Sequence, residues 1–185
     1  MKKLSLYVFL VLLFCGNTIA DSKDRDVKLN QLFEQLKKSD NISIALEIEM
    51  KIWNIWSTHP TQKKLTQSLA KGSDLMSKGD LETAYKIFST IIDSAPDWTE
   101  GWNKRATVLY LMGRYQDSLN DIDEVLKREN RHFGALSGQG LVQTKLKNYE
   151  KAIKSYQAVQ KIYPSIRAAK VMIPQLSKLI KDEVI

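Results

Sequence analysis

Residues 79–96 read GDLETAYKIFSTIIDSAP, residues 113–130 read GRYQDSLNDIDEVLKREN, and residues 147–164 read KNYEKAIKSYQAVQKIYP. The three stretches start 34 residues apart, and each opens with a turn-like step before an apolar helical run. One aligned column holds small residues and another holds large ones: Ala84, Ser118 and Ala152, then Phe88, Ile122 and Tyr156. An internal repeat of this length predicts pairs of helices that bury their apolar faces only by stacking on one another.

The same period sets the predicted architecture, an all-α, right-handed α-solenoid of helix-turn-helix repeats. We predict repeats over 65–98, 99–132 and 133–164. Their helices are expected at Leu65–Ser77 and Leu81–Ser94, at Trp98–Leu111 and Tyr115–Lys127, and at His132–Leu146 and Tyr149–Ile162.

Helical patterns are also expected on both sides of the repeats. Residues 21–64 are predicted to form a degenerate helical hairpin that caps the stack, with its second helix over Ile42–Trp56. Residues 165–185 are predicted to form a capping helix with one apolar stripe, made of Ile166, Ala169, Ile173, Leu176 and Ile180. Pro174 lies off that stripe and lacks the amide that would bond the carbonyl of Lys170.

The repeat residues resemble the tetratricopeptide repeat family, whose unit is a 34-residue pair of antiparallel helices. The matching positions are the aromatic Trp102, the small residues of the first helices, and the closing prolines: Gly72, Ala106 and Gly140, with Pro96 and Pro164. The resemblance covers about 65–164 and is similar in pattern to exported single-domain members from Gram-negative bacteria. It implies a concave groove lined by the first helix of each repeat, and it implies protein binding.

The first twenty residues have the features of a secretory signal. Lys2 and Lys3 precede an apolar run, and the segment ends on small residues at Thr18-Ile19-Ala20. We expect export, most simply to the periplasm, with cleavage after Ala20. A retained membrane anchor and lipidation at Cys15 remain alternatives, although the bulky Phe14 before that cysteine is unlike a lipoprotein signal.

Composition narrows the classes of partner. Cys15 is the only cysteine, so a chain cleaved after Ala20 forms no disulfide and no cysteine-ligated metal site. The formal charge of +7 becomes +5 without Lys2 and Lys3. We interpret the lysine excess as a scattered, solvated surface, with an anionic membrane surface as the lesser alternative and nucleic acid as unlikely.

No catalytic, cofactor or metal site is predicted. His59 and His132 stand outside any motif, and the sequence has no nucleophile elbow, His-Glu-x-x-His or phosphate-binding glycine loop. One dense acidic cluster lies in a predicted helix without the spacing of a calcium loop: Asp117, Asp121, Asp123 and Glu124. We interpret these carboxylates as a solvated convex face and the histidines as structural or exposed.

The predicted function is therefore a non-enzymatic scaffold or adaptor of the cell envelope that binds a protein segment in the groove. The resemblance implies these groove residues: Ser73, Met76, Asn103, Thr107, Tyr110, Leu111, Ser137, Leu141, Thr144 and Lys145. Tyr110, Trp102 and Asn103 are the expected anchors, and Gly134 and Gly138 would permit close approach of a partner. A small-ligand-binding or enzyme-accessory role, or a homodimer formed through Trp53 and Trp56, stays open as an alternative.

Overall fold

The structure, a computed structural model, describes residues 23–182, and in that range it contains nine helices and no strand. The predicted signal segment and its cleavage point lie outside the described residues. The helices are α1 (23–38), α2 (Ile42–Ser57), α3 (Lys63–Ser77), α4 (Leu81–Ser94), α5 (Thr99–Leu111), α6 (Tyr115–Arg128), α7 (Phe133–Lys145), α8 (Tyr149–Ile162) and α9 (Arg167–Asp182). Among these helices, none has the length and apolar character needed to cross a membrane. The predicted all-α class is confirmed.

Three helical pairs, α3–α4, α5–α6 and α7–α8, stack in chain order. Small residues allow the close approach within a pair. A methyl group added at Gly72 would lie 2.6 Å from the Phe88 ring, and one added at Gly140 would lie 2.7 Å from the Tyr156 ring. Phe88 and Tyr156 are fully buried, so these contacts leave no room for a larger residue at the glycines.

The turn inside each repeat needs a residue in the left-handed backbone region. Gly79 and Gly113 take φ values of 84° and 75°, and the third repeat places Lys147 at the matching position with φ 59°. Only glycine adopts this region without a steric penalty, because a Cβ atom crowds the neighbouring carbonyl. The third turn is therefore the strained one of the three.

Replacing Lys147 by glycine is expected to stabilise the protein. Relief of the steric conflict exceeds the extra entropy that glycine gives the unfolded chain, so we expect a gain of about 0.5–1 kcal/mol in the free energy of unfolding. The thermal midpoint should rise by about 1–4 °C. The control is Lys151→Gly, in the first turn of α8 and exposed, which should instead destabilise. A fall in midpoint for Lys147→Gly would contradict this account.

The α1–α2 hairpin is not placed as predicted. Its buried residues share one core cluster with the third repeat and α9, including Phe133, Tyr156 and Leu176. The core cluster of the first repeat contains no residue of α1 or α2. The hairpin therefore lies across the beginnings of α5 and α7 instead of capping the end of the stack. Trp98 marks this junction, since its Nε1 donates to the Trp56 carbonyl at 2.9 Å.

The tryptophans that we considered for self-association are used inside the chain. Trp56 is buried and stacks on the His132 ring, with centroids 4.0 Å apart. Trp53 meets the Phe133 ring edge to face at 5.3 Å. Arg131 adds a polar link, because its Nη1 donates to Asn30 of α1 at 2.7 Å. These contacts attach the hairpin to the second and third repeats.

Helix α9 packs on the third repeat, mainly on α8. Ala169 and Leu176 are buried, and Ile166 and Ile173 pack against the same cluster. The helix continues through Pro174, which is exposed. The buried face of α9 thus covers the third repeat, and its opposite face meets solvent.

Candidate partner-binding groove

A cavity of about 180 Å³ opens between α5 and α7. Five of the ten predicted groove residues lie in its wall: Asn103, Thr107, Tyr110, Ser137 and Leu141. The remaining wall is mostly apolar and comprises Ala106, Ser118, Ile122, Gly134, Ala135, Gly138 and Val142. The first helices of the second and third repeats therefore form the surface that the sequence placed there, with an apolar hollow at its centre.

Gly138 provides open space in this wall. A methyl group added there would meet only the Ile122 Cδ1 atom, at an ordinary 3.7 Å. Nearby, Tyr110 is half-buried and its ring lies 5.8 Å from that of Tyr115. The Ser137 Oγ is buried without a hydrogen-bond partner among the described residues. The hollow is therefore suited to an apolar side chain, with a polar atom at its margin.

The other five predicted groove residues do not line this cavity. Met76 packs in the core cluster of the first repeat, and Ser73 donates to the Leu69 carbonyl of its own helix. Thr144 likewise donates to the Gly140 carbonyl at 2.7 Å, while Leu111 and Lys145 are exposed. Periodicity placed these residues on the inner helices, but it did not show which of them meet.

Two of the expected anchors have structural contacts. Asn103 is only 7% exposed and donates to Glu100 Oε1 at 3.1 Å, so its amide contributes to the fold. Trp102 donates to the Pro96 carbonyl. The guanidinium groups of Arg105 and Arg128 lie 5.1 and 5.2 Å from the centroid of its ring. Trp102 is not in the cavity wall. Tyr110 is the expected anchor that remains.

Trp53 of α2 covers one end of the groove. The Gly134 Cα is so close to the Trp53 ring that a Cβ would lie 2.6 Å from it. Gly134 was predicted to permit close approach of a partner, but the group that lies against it is Trp53 of the same chain. Lys104 Nζ lies 5.6 Å from the centroid of the Trp53 ring and 3.4 Å from a Glu100 carboxylate oxygen. The hairpin thus covers a part of the inner surface that was predicted to be open to a partner.

An apolar stripe continues from Trp53 along α2. Ile42, Leu46 and Met50 are 63%, 49% and 64% exposed. With about 100° between successive helical residues, these three side chains and Trp53 fall on one face of α2. An exposed apolar face of the hairpin therefore runs along α2 from Trp53, which lies at the end of the groove.

A buried acid–base pair lies beneath this end of the groove. Glu100 and His132 are both 0% exposed, and the Glu100 Oε2 atom is 3.3 Å from His132 Nε2. His132 Nδ1 accepts the Ala135 amide at 3.1 Å, so the ring proton lies on Nε2 and points to the carboxylate. Burial opposes ionisation of Glu100, but bonds from His132 and Asn103 and the charge of Lys104 outweigh it and hold the pKa of Glu100 below its usual value.

This pair was not predicted from the sequence. No local motif joins residues 32 positions apart, and His132 was expected to be structural or exposed without a named partner. The repeat period could have indicated the contact. Glu100 and His132 are almost one repeat apart and stand at the beginnings of the neighbouring helices α5 and α7. Both imidazole nitrogens are engaged, so His132 has no nitrogen left to act as a base on a ligand.

The acidic cluster of α6 is likewise structural in part. Asp121 is 5% exposed and binds Arg105 through two bonds of 2.8 Å, in contrast to the predicted solvated face. Asp117 pairs with Arg114, and Glu124 pairs with Arg128. Across residues 23–182, no group of three or more His, Cys, Asp or Glu side chains is arranged to hold a metal ion.

A larger open depression of about 500 Å³ lies outside the groove, between the hairpin and the α4–α5 turn. Its two arginines are already engaged in the fold. Arg25 donates to the Ile55 and Thr58 carbonyls, and Arg128 donates to the Pro96 carbonyl and to Glu124. The groove remains the better candidate site, because its central surface is apolar and open.

Comparison with known proteins identifies the family. The family described as tetratricopeptide repeat matches residues 103–165. A TPR repeat-containing protein of Rhizobium etli is 35% identical over 155 residues, which are 82% of this chain and 74% of that protein. Tetratricopeptide repeat protein 12 of Mus musculus is 33% identical over 98 residues, which are 53% of this chain and 14% of the mouse protein.

Solved structures agree on the fold. The first TPR domain of Spaghetti (RPAP3), bound to the HSP90 peptide SRMEEVD, superposes with a TM-score of 0.62 at 18% identity, covering 64% of this chain and 94% of that domain. The fragment of MamA from residue 41 to its end, from Desulfovibrio magneticus RS-1, superposes with a TM-score of 0.58 at 22% identity, covering 63% of this chain and 66% of that fragment. The repeat period, the small-to-large packing and these similarities together show that the chain belongs to the tetratricopeptide repeat family.

Proposed function

We propose that the protein is a non-enzymatic interaction scaffold that binds a segment of another protein in the groove between α5 and α7. The observation that carries this proposal is the apolar cavity, whose wall includes Tyr110, Gly138 and Leu141. A side chain of the partner would fill the hollow, and the stripe of Ile42, Leu46 and Met50 would extend the contact along α2.

The chemistry of this groove favours an apolar or amphipathic partner segment. RPAP3, one of the structural neighbours, binds a peptide that ends in two glutamates, a valine and an aspartate. Here Lys104, the basic residue beside Trp53 at the end of the groove, is already paired with the buried Glu100. A partner recognised mainly by carboxylates would find no matching set of basic groups in the cavity wall.

We further propose that the scaffold acts in the bacterial cell envelope after export. The support is the N-terminal sequence, with Lys2 and Lys3 before an apolar run and Ala20 at the expected cleavage point. Cell fractionation with N-terminal sequencing of the recovered protein tests this placement. A cytoplasmic protein that still begins at Met1 would refute it, whatever the groove binds.

Filling the cavity should weaken partner binding. The change is Gly138→Leu, because the site faces open space and a leucine there would occupy the hollow without forcing the helices apart. We expect recovery of the partner by in-cell crosslinking to fall at least tenfold, roughly the loss of one good anchor contact. For crosslinking, a photoreactive residue replaces the exposed Leu141 at the groove. A second version of the protein carries the photoreactive residue at the exposed Lys127 of α6, away from the groove, as a positional control.

The matched control is Gly138→Ala, which adds a methyl group at an ordinary contact distance and leaves most of the hollow empty. It should retain the partner, and both variants should unfold at or above the temperature of the unchanged protein, since alanine and leucine are better helix formers than glycine. Equal recovery with Gly138→Leu, or crosslinks only from position 127, would refute the groove as the binding surface. Asn103 is unsuitable for this test because it contributes to the fold.

A homodimer is the second candidate, formed through a surface other than the one predicted. Trp53 and Trp56 are engaged inside the chain, so they give no support to pairing between copies. The exposed stripe on α2 is the apolar surface that a second copy would meet. Sedimentation of Leu46→Lys beside the unchanged protein distinguishes the two cases, because only a dimer formed through this stripe would dissociate.

A further inference from the structure

The basic charge of the chain is concentrated at its C-terminal end. Residues 145–182 contain nine Lys or Arg and two Asp or Glu, a net charge of +7. Residues 65–144 contain nine Lys or Arg and eleven Asp or Glu, a net charge of −2. The lysine excess was predicted to be scattered, but it is concentrated in one region. It belongs to the last helices of the stack.

Four of these cations form one face of α9. Arg167, Lys170, Lys178 and Lys181 are all exposed. At about 100° per residue they fall within an arc of about 80°, opposite the buried Ala169 and Leu176. The face that α9 turns away from the repeats is therefore a basic strip along the whole helix.

These cations are not neutralised by the fold. Within the described part of the chain, none of the four forms an ion pair, and Asp182 is the only acidic residue of α9. Basic groups elsewhere often do have such partners, as in the pairs of Lys78 with Asp74 and Arg114 with Asp117. The charge on α9 is left for an external anion.

Apolar groups accompany the charge. Val171 and Leu179 are 42% and 43% exposed, and Pro174 lies exposed between them. Long lysine and arginine side chains beside aliphatic ones are typical of helices that lie in a membrane interface, where the aliphatic groups enter the headgroup boundary and the cations reach the phosphates.

We propose that the exposed face of α9 docks on the surface of an anionic lipid bilayer. Each basic residue near such a surface contributes attraction to the lipid phosphates, and a strip of four on one helix presents them together. The buried face of α9 stays on the third repeat. The groove between α5 and α7 is formed by other helices and would remain open to a protein partner while the protein is on the membrane.

The observations favour a bilayer over other anions. The exposed face of α9 carries no aromatic side chain on which a nucleic-acid base would stack. It is the outer face of a single helix, so it offers an acidic peptide no facing helix to define a register. A planar array of phosphates requires neither feature.

The test is sedimentation of the full chain with vesicles at an ionic strength of about 0.1 M, where surface charges act over about 10 Å. One set of vesicles is an equal mixture of phosphatidylglycerol and phosphatidylcholine, and the other is phosphatidylcholine alone. Any binding through the apolar N-terminal run appears with both sets. The ratio between them therefore reports the charge-dependent part.

The test variant changes Lys170, Lys178 and Lys181 to glutamine, and the control variant changes Lys147, Lys151 and Lys154. Both remove three exposed charges from the C-terminal end. We expect the α9 variant to lose at least tenfold of the preference for anionic vesicles, since each lysine at the surface contributes about fivefold. The control variant should lose less than about threefold, since it keeps all four cations of the strip. Circular dichroism checks that both remain helical.

Three results would overturn the proposal. The first is that the unchanged protein shows no preference for anionic vesicles. The second is that the two variants lose that preference equally, which would indicate an effect of net charge without a docking face. The third is tighter binding to a single-stranded oligonucleotide than to anionic vesicles at the same salt, lost in the α9 variant. Gly138→Leu should leave vesicle binding unchanged, so failure of this proposal is separable from failure of the groove.

Discussion

Replacing His132 by alanine is expected to lower the free energy of unfolding by about 3–5 kcal/mol, because it leaves the Glu100 carboxylate buried without its main partner. The imidazole also stacks on Trp56 and accepts the Ala135 amide at the start of α7, and both contacts disappear with it. Denaturant unfolding measures the loss. His59→Ala is the control, because that half-buried histidine faces no carboxylate and should cost only about 1 kcal/mol.

The same variant should change the response to acid. Because the pKa of Glu100 is lower in the folded protein than in the unfolded chain, its contribution is fully present above the unfolded pKa and is lost as the pH falls through the folded value. With alanine at position 132 the pKa of Glu100 should move up, so the variant should lose less stability on acidification than the unchanged protein. Parallel stability curves below pH 5 for the two proteins would refute the coupling.

Replacing Trp56 by alanine is expected to detach the hairpin from the repeats. Trp56 is 4% exposed and its ring meets the rings of Phe33, His132 and Phe133. Loss of a buried tryptophan side chain costs about 3–5 kcal/mol, since the cavity it leaves is only partly filled by its neighbours. Hydrogen exchange locates the effect: amides of α1 and α2 should lose protection before those of α5 and α6.

Met50→Ala is the matched control for Trp56, because Met50 lies on the same helix but is 64% exposed. It should change the free energy of unfolding by less than about 0.5 kcal/mol. If Trp56→Ala were equally mild, or if protection were lost uniformly along the chain, the hairpin would not be an attached unit held by this side chain.

The repeats were predictable from the sequence because each one encodes its packing locally. The pairs Gly72 with Phe88 and Gly140 with Tyr156 lie within single repeats, and their spacing recurs every 34 residues. Helix bounds were predicted to within two residues, as in α3, which begins at Lys63 and not at Leu65. A periodic pattern of small and large residues therefore defines both the helices and the way they pair.

The hairpin and half of the groove were not predictable in the same way. Trp53 meets Gly134 across 81 positions, and Tyr163 donates to Glu49 across 114, so no local pattern records either contact. The hairpin helices have ordinary amphipathic spacing, which shows that an apolar face exists but not which surface it covers. Asn103 and Trp102 were chosen as anchors for their residue type. Asn103 instead bonds Glu100 one helical turn away, and Trp102 contacts Pro96 and Arg128 outside its own helix.

The position of the hairpin separates order along the chain from order in space. Helices α1 and α2 pack over the second and third repeats. The first repeat follows them in the sequence but packs on the outer side of the second repeat. The main contacts of α3 are with α4 and α5, so the first repeat lies at an edge of the stack although both of its helices are internal to the sequence. In a stack whose units are held only by their neighbours, opening begins at a free edge. The earliest loss of structure on heating should therefore occur at residues 63–94, as an internal loop between two parts of the chain that remain folded together.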